Sequence, residues 1–354
     1  MGRFKLLSGD RPGHPILTVL IAVIVLGLAF APFVFPGTRS LDTAARIAII
    51  VALVASYDLL LGYTGIVSFA HTMFFGIGAY GVAIASSRLG PGWGSIALGA
   101  AAGVVLAVAV AFVIALASLR VRAIFFAMIT LAVASAFGIL VSQLYTITGG
   151  EDGLSFRLPT ELTPAFRLVE FRIFDTRIDG RFLTYYLVFV SAALLFVLLL
   201  RFVNSPFGRV LQAIRENDFR AEALGYKTVY FRTIATCISA AVAALSGALL
   251  AIWLRYTGPA TTLSLDLMID ILVMLVIGGM GTMWGAILGA TIFVLAQSYL
   301  REVMTAASAA TLDLPFLSDI LHPDRWLFWL GLLFILSVYS FPSGIVGRFR
   351  GVRG

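Results

Sequence analysis

Side chains able to do chemistry are few within the apolar stretches of this sequence. Asp58 and His71 lie thirteen residues apart with Ser68 between them, and they are the one set there that could be offered as a proton-relaying or acid–base pair. No acid-rich or His/Cys metal motif accompanies them, and no nucleophile elbow occurs, which makes an enzyme remote. Gly225-Tyr226-Lys227-Thr228 ends like a phosphate-binding loop but lacks the glycine-rich turn that would precede one, so this chain is not expected to hydrolyse ATP. Cys237, the single cysteine, lies in an apolar run and forms neither a disulfide framework nor a thiolate metal site. Asp266 and Asp270 are spaced i, i+4 and read as two solvated carboxylates at a membrane edge, paired with Arg255.

The elements that position these groups follow from composition. Of 354 residues, 60% are hydrophobic and 12% charged, and the mean hydropathy is +1.01. A soluble surface needs more charge than that. Successive apolar runs match a hydrocarbon core about 30 Å thick, whereas the short alternating segments of a membrane barrel are absent. The fold class is therefore all-α, a polytopic integral membrane protein with about eight to ten transmembrane helices in one domain over 1–354. The runs fall at 15–35, 43–61, 65–87, 94–118, 123–145, 183–203, 233–255, 266–277, 285–300 and 326–341. The eighth is too short to cross alone and the ninth is borderline, so this pair is expected to be broken or re-entrant.

A net charge of +7 reflects basic loops rather than nucleic acid. With the N-terminus inside, the inner loops hold Arg3, Lys5, Arg11, Arg120, Arg122, the basic run from Arg201 to Arg232, and Arg348, Arg350 and Arg353, against few carboxylates. The outer segments balance, which places both termini in the cytoplasm. The first run resembles a signal peptide ending in Ala29-Phe30-Ala31, but it continues through Phe35 and reads as an uncleaved span.

Two hydrophilic segments interrupt the runs. One, 146–181, is external. The other, 204–232, is internal and carries Ser205 as an N-cap, Pro206 at the first helical turn, and Phe207, Val210, Leu211 and Ile214 on one helical face. Asn217-Asp218 stops that helix and caps a second over 219–224, closed by Gly225. An amphipathic helical pair of this kind fits an interfacial anchor and a docking element equally.

Glycines mark two interruptions, at 62–81 and at 278–289, the latter containing the Gly285–Gly289 GxxxG pair. Paired glycine-broken segments point to a substrate path. Gly65, Ser68, His71, Phe74, Gly76, Gly78, Gly279, Gly281, Thr282 and Trp284 are the residues expected to line or shape it. Bulky groups at Gly78 or Gly281 are expected to impair transport and spare expression.

Four stretches carry a resemblance. They are Asn204-Ser205-Pro206-Phe207-Gly208-Arg209 with Ala213-Ile214-Arg215-Glu216-Asn217 and Ala221-Glu222-Ala223-Leu224-Gly225; Gly62-Tyr63-Thr64-Gly65 through Tyr80; Thr148-Gly149-Gly150 with Asp152-Gly153; and Gly278 through Gly285. Taken in chain order, they resemble the branched-chain amino acid ABC transporter permeases, and most closely the LivM subunit family, over about 40–345. The resemblance implies a permease of the bacterial inner membrane, without catalysis of its own, that moves branched-chain or similar hydrophobic amino acids inward by alternating access. Permeases of this kind for urea, amides or other amino acids are the alternative, and an ion-coupled carrier is a more distant one. The family scheme adds two ATP-binding subunits holding ATP and Mg, a second homologous permease and a periplasmic binding protein. It makes 204–232 the ATPase-coupling segment, with Arg209, Ala213, Arg215, Glu216, Asn217, Ala221, Glu222, Leu224 and Gly225 as its residues. No cofactor is expected on this chain. The 155–181 and 301–325 loops match nothing in the pattern.

Overall fold

The computed structural model describes residues 15–34, 37–118, 123–166, 179–310, 322–340 and 344–350. Its long helices are α1 (Pro15–Ala29), α3 (Thr38–Thr64), α4 (His71–Leu89), α5 (Trp93–Ser118), α6 (Ala123–Gln143), α8 (Gly180–Val203), α9 (Pro206–Glu216), α11 (Thr228–Leu254), α13 (Leu265–Gly278), α14 (Met283–Ala310) and α15 (Trp326–Ser340). Short turns α2 (Ala31–Val34), α7 (Tyr145–Thr148), α10 (Asp218–Ala223), α12 (Pro259–Thr262) and α16 (Gly344–Arg350) join them. Among the described residues, seven helical stretches are long and apolar enough to cross a membrane: α3, α5, α6, α8, α11, α12 with α13, and α14. α4 spans 19 residues, but its glycines, His71 and Arg88 dilute the hydropathy that marks the others.

α4, α5 and α11 pack mutually, each against the other two, with α3 also against α11. Glycine makes this closeness possible. A Cβ on Gly78 would overlap the Ala244 carbonyl, and one on Gly247 the Phe75 carbonyl. A Cβ on Gly81 would lie 2.5 Å from the Gly99 oxygen. Between apolar helices in an apolar solvent, such backbone approach supplies dispersion that a hydrophobic effect cannot. α3 then packs on α8 and α14, extending one hydrophobic core through the bundle.

Several expected boundaries move. The first run is not continuous: α1 stops before Pro32, and its last carbonyls, Leu28 and Ala29, accept from the Tyr185 and Tyr186 hydroxyls. The third does not begin at 65. Gly65 takes φ +72 and caps α3 with its N–H on the Leu60 carbonyl, so 65–70 is unwound and helix resumes at His71. The ninth is not short: α14 runs 28 residues. Its polar second half, with Glu302 paired to Arg39 and the Ser298 carbonyl accepting from Arg39 at 2.7 Å, conceals the helix from a hydropathy reading.

The eighth run is α13, a 14-residue helix parted from α14 by residues 279–282. Asp270 lies near Asp266, Arg46 and Gln297, whereas Arg255 donates to the Leu162 carbonyl at 3.1 Å. The expected pairing with Arg255 is therefore replaced by one with groups on the neighbouring helices.

At the end of the bundle away from α9 and α10, strands β1 (Leu154–Ser155) and β2 (Tyr256–Thr257) pair antiparallel. They pin the 146–166 segment to the end of α11. Gly149, Gly150 and Gly153 have positive φ there, and a Cβ on Gly149 would strike the Gly153 carbonyl. The turn that presents Glu151 therefore requires glycine. The expected 155–181 and 301–325 loops lie in part, at 167–178 and 311–321, outside the described residues.

Candidate functional site

The helical pair forms as its sequence dictates. Ser205 Oγ accepts from the Gly208 N–H at 3.3 Å, Pro206 opens α9, and Asn217 Oδ1 accepts from the Arg220 N–H at 2.9 Å to start α10. Gly225 closes the pair at φ +92 with open space beside its Cα. Leu211 and Ile214 are buried, and the Phe207 ring packs 5.1 Å from Phe202 and 4.8 Å from Phe231. The stripe of α9 is thus taken up largely by α3, α8 and α11. Burying each large aliphatic side chain in this way contributes about 1.5–3 kcal/mol. α10 is tied down by Ala221, which is buried, by an Arg232–Asp218 ion pair at 2.8 Å, and by Thr228, which donates to Glu222 at 2.8 Å.

What the pair leaves outward is unusual. Phe219 is 86% exposed and Leu224 73% exposed, with Arg209, Ala213, Glu216 and Asn217 also exposed around them. Phe219 was not singled out by the sequence reading. Its signal was available, because it falls outside the apolar stripe of α9 and has no inward face of its own.

Arg215 joins this surface to the bundle. Its Nη1 donates to the Gly62 carbonyl. A Cβ on Gly65 would lie 3.3 Å from its Cγ, and one on Gly281 2.9 Å from its Nη1. The Gly281 N–H in turn donates to Asp58 Oδ1 at 2.8 Å, and Gly281 holds φ +78. The two glycine interruptions, far apart in sequence, therefore meet at one joint: the end of α3, the 279–282 break, and the guanidinium of α9. Thr282 closes the break locally by donating to the Gly279 carbonyl at 2.8 Å.

The other residues expected on a pathway sit elsewhere. His71 is wholly buried; Ser56 gives its proton to the Leu53 carbonyl at 2.7 Å and accepts from His71 Nε2 at 2.8 Å. Ser68 Oγ accepts from the Ala70 N–H at 3.3 Å, and Phe74 is buried in the core. A Cβ on Gly76 would overlap the Leu263 side chain. Gly78 is the α11 contact already described. Trp284 packs on Phe196 at 5.9 Å beside an apolar cavity between α1, α3, α8 and α14.

A cavity of about 540 Å³ lies between α6, the start of α4 and the α12–α13 corner. That volume is in the range of small-molecule sites. One face of α6 forms its wall: Leu131, Ala134, Ser135, Gly138, Ile139 and Ser142, at helical spacing over roughly 16 Å of axis. Phe69 and Thr72 line it at the unwound α3–α4 junction, while Gln143, Glu151 and Ser264 line it toward the β1–β2 end. Glu151 comes from the glycine turn. At the same end, burial first and Arg181 second lower the pKa of Arg255. No group of three or more His, Cys, Asp or Glu side chains able to hold a metal occurs among the described residues.

A family model described as the branched-chain amino acid transport system / permease component matches residues 40–338. The chain belongs to this family. This permease is 27% identical over 300 residues to the high-affinity branched-chain amino acid transport system permease protein LivM of Escherichia coli (strain K12), covering 80% of the chain and 68% of the relative. It is 28% identical, with the same coverage, to the protein of that name in Salmonella typhimurium. A probable branched-chain amino acid transport permease protein LivM of Methanocaldococcus jannaschii is 26% identical over 244 residues, covering 68% of the chain and 65% of the relative. No solved structure matches. Family and helices together make this permease a multi-pass membrane protein.

Proposed function

We propose that this permease is a translocating subunit of an ABC importer, carrying branched-chain or similar hydrophobic amino acids from periplasm to cytoplasm across a bacterial inner membrane. Both termini then lie in the cytoplasm, as the basic loops of 1–14, 201–232 and 345–354 favour. Two separate ATP-binding subunits hydrolyse ATP with Mg, a second homologous permease completes the membrane unit, and a periplasmic binding protein delivers the substrate. Residues 204–232 form the coupling segment.

The observation that carries this reading is the pair α9–α10, anchored into the bundle and presenting exposed Phe219 and Leu224 among charges. An aromatic knob ringed by charge is the signature of a protein contact rather than of solvent. Arg215 gives such a contact a consequence. Displacing α9 draws the guanidinium against the Gly62 carbonyl and the Gly281 loop together. Residues of positive φ pivot more cheaply than the helices that flank them, so the two breaks can swing as one while α4, α5 and α11 stay packed. That is a route from ATPase movement to alternating access.

Co-purification of the tagged full chain from its native membrane tests the reading. Two ATP-binding subunits and a second permease are expected with the parent, and loss of the ATP-binding subunits alone with Phe219→Asp. Purification of the chain by itself, with ATP-independent uptake after reconstitution, would replace the importer with a carrier.

A further inference from the structure

The 540 Å³ cavity has a polar feature that packing does not account for. Thr72 is 97% buried, counted from its 3% exposure, yet it lines the cavity wall. Many buried hydroxyls on the long helices turn back to a carbonyl one turn earlier, Ser86 and Thr291 being exceptions that line no part of this cavity. Thr64 donates to Leu60, Thr233 to Val229, Thr236 to Arg232 and Ser246 to Val242. The Thr72 hydroxyl bonds to no described residue. It sits in the first turn of α4, a 19-residue helix whose N-cap, Ala70, offers no side-chain cap. The positive end of the helix dipole therefore stands behind that hydroxyl without a side-chain cap.

The wall facing Thr72 is built to leave space. Ala134, Ser135 and Gly138 are the small residues on the lining face of α6, and a Cβ on Gly138 would meet nothing within 4 Å. The cavity carries apolar surface as well, from Leu131, Ile139 and Leu263, and its single lining carboxylate, Glu151, stands at the far mouth. A hydroxyl donor in a positive helix field, apolar walls and a carboxylate at the entrance together describe the chemistry of a zwitterionic, aliphatic amino acid.

We propose that the α4–α6 cavity is an amino-acid subsite in which the Thr72 hydroxyl donates to the substrate α-carboxylate at the N-terminus of α4, the aliphatic side chain lying along Leu131 and Ile139. The subsite rests on the permease reading above and adds to it the place and polarity of binding. Unwinding at 65–70 is what creates it, because a continuous helix through Gly65 would remove the α4 N-terminus from the bundle interior. Glu151 at the mouth attracts the ammonium group and orients the amino acid with its carboxylate leading.

The test is ATP-driven uptake of radiolabelled L-leucine by the full chain, co-reconstituted in liposomes with its second permease, ATP-binding subunits and binding protein. A hydrogen bond to a charged group is strong enough that Thr72→Val is expected to lower initial uptake about tenfold, with Thr72→Ser restoring most of it. Gly138→Phe, whose Cβ meets nothing within 4 Å, is expected to lower uptake by at least about tenfold while the assembly still forms. Parent-like uptake in Thr72→Val overturns the carboxylate assignment, and parent-like uptake in Gly138→Phe overturns the cavity as a subsite. In both of those cases the permease reading survives, because the parent imports. An unsubstituted assembly that imports no leucine overturns the permease reading, and the subsite with it.

Discussion

α4 and α6 are neighbouring helices rich in small residues, and they use them in opposite ways. In α4, Gly76, Gly78 and Gly81 are spent on contact: a Cβ would be driven into the Leu263 side chain, α11 and α5 in turn. In α6, Ala134, Ser135 and Gly138 face a cavity, and Gly138 has open space beside it. Glycine density therefore marks where backbones touch. A pathway wall is marked by small residues repeating at helical spacing on a face that nothing covers.

Substitutions at the two helices separate these uses most sharply. Gly78→Leu or Gly247→Leu must displace backbone, at a cost on the order of 3 kcal/mol or more. Both should lose the monodisperse peak in size-exclusion chromatography of detergent extracts, and Gly138→Leu should keep it. Equal profiles for Gly78→Leu and Gly138→Leu would erase the distinction. The contact of Gly78 with Ala244 argues against the expectation that bulk there spares expression.

The next effect is at the joint. Gly281→Ala meets a left-handed backbone penalty of roughly 1–2 kcal/mol and crowds the Arg215 guanidinium. The protein should fold, with a thermal midpoint lowered by several degrees and uptake reduced more than stability would explain. A variant indistinguishable from the parent in both would detach the 279–282 break from function.

Smallest is the cap of α9. Ser205→Ala removes the acceptor of the Gly208 N–H and should cost about 1 kcal/mol. It is expected to increase amide exchange locally in 206–216 and to leave α4 and α6 unchanged. Increased exchange throughout the bundle would mean that α9 is not a separable element.

Much of this was legible in the sequence because it rests on local rules. Ser205, Pro206, Asn217 and Gly225 define the helical pair without help from tertiary structure, and Gly65, Gly279 and Gly281 mark breaks through the conformations they permit. Gly62 and Gly281 gave no sign of meeting each other, since Asp58 and Arg215 connect them through space alone. α14 was shortened because Gln297, Arg301 and Glu302 look like a loop until Asp270, Asp324 and Arg39 are seen to partner them in turn. The wall of α6 was missed for a related reason: in an apolar run, a face that lines a cavity and a face that meets lipid have similar composition. Its period, Ala134, Ser135, Gly138 and Ser142, was the available signal.

The central claim is that α9 transmits the work of the ATP-binding subunits through Arg215 to both breaks. Measuring ATP hydrolysis and L-leucine uptake on the same proteoliposomes for the parent and Arg215→Ala tests it most directly. Loss of a charge-assisted hydrogen bond predicts hydrolysis that continues while leucine imported per ATP falls about tenfold. Uptake and hydrolysis that change in the same proportion, or not at all, would contradict it.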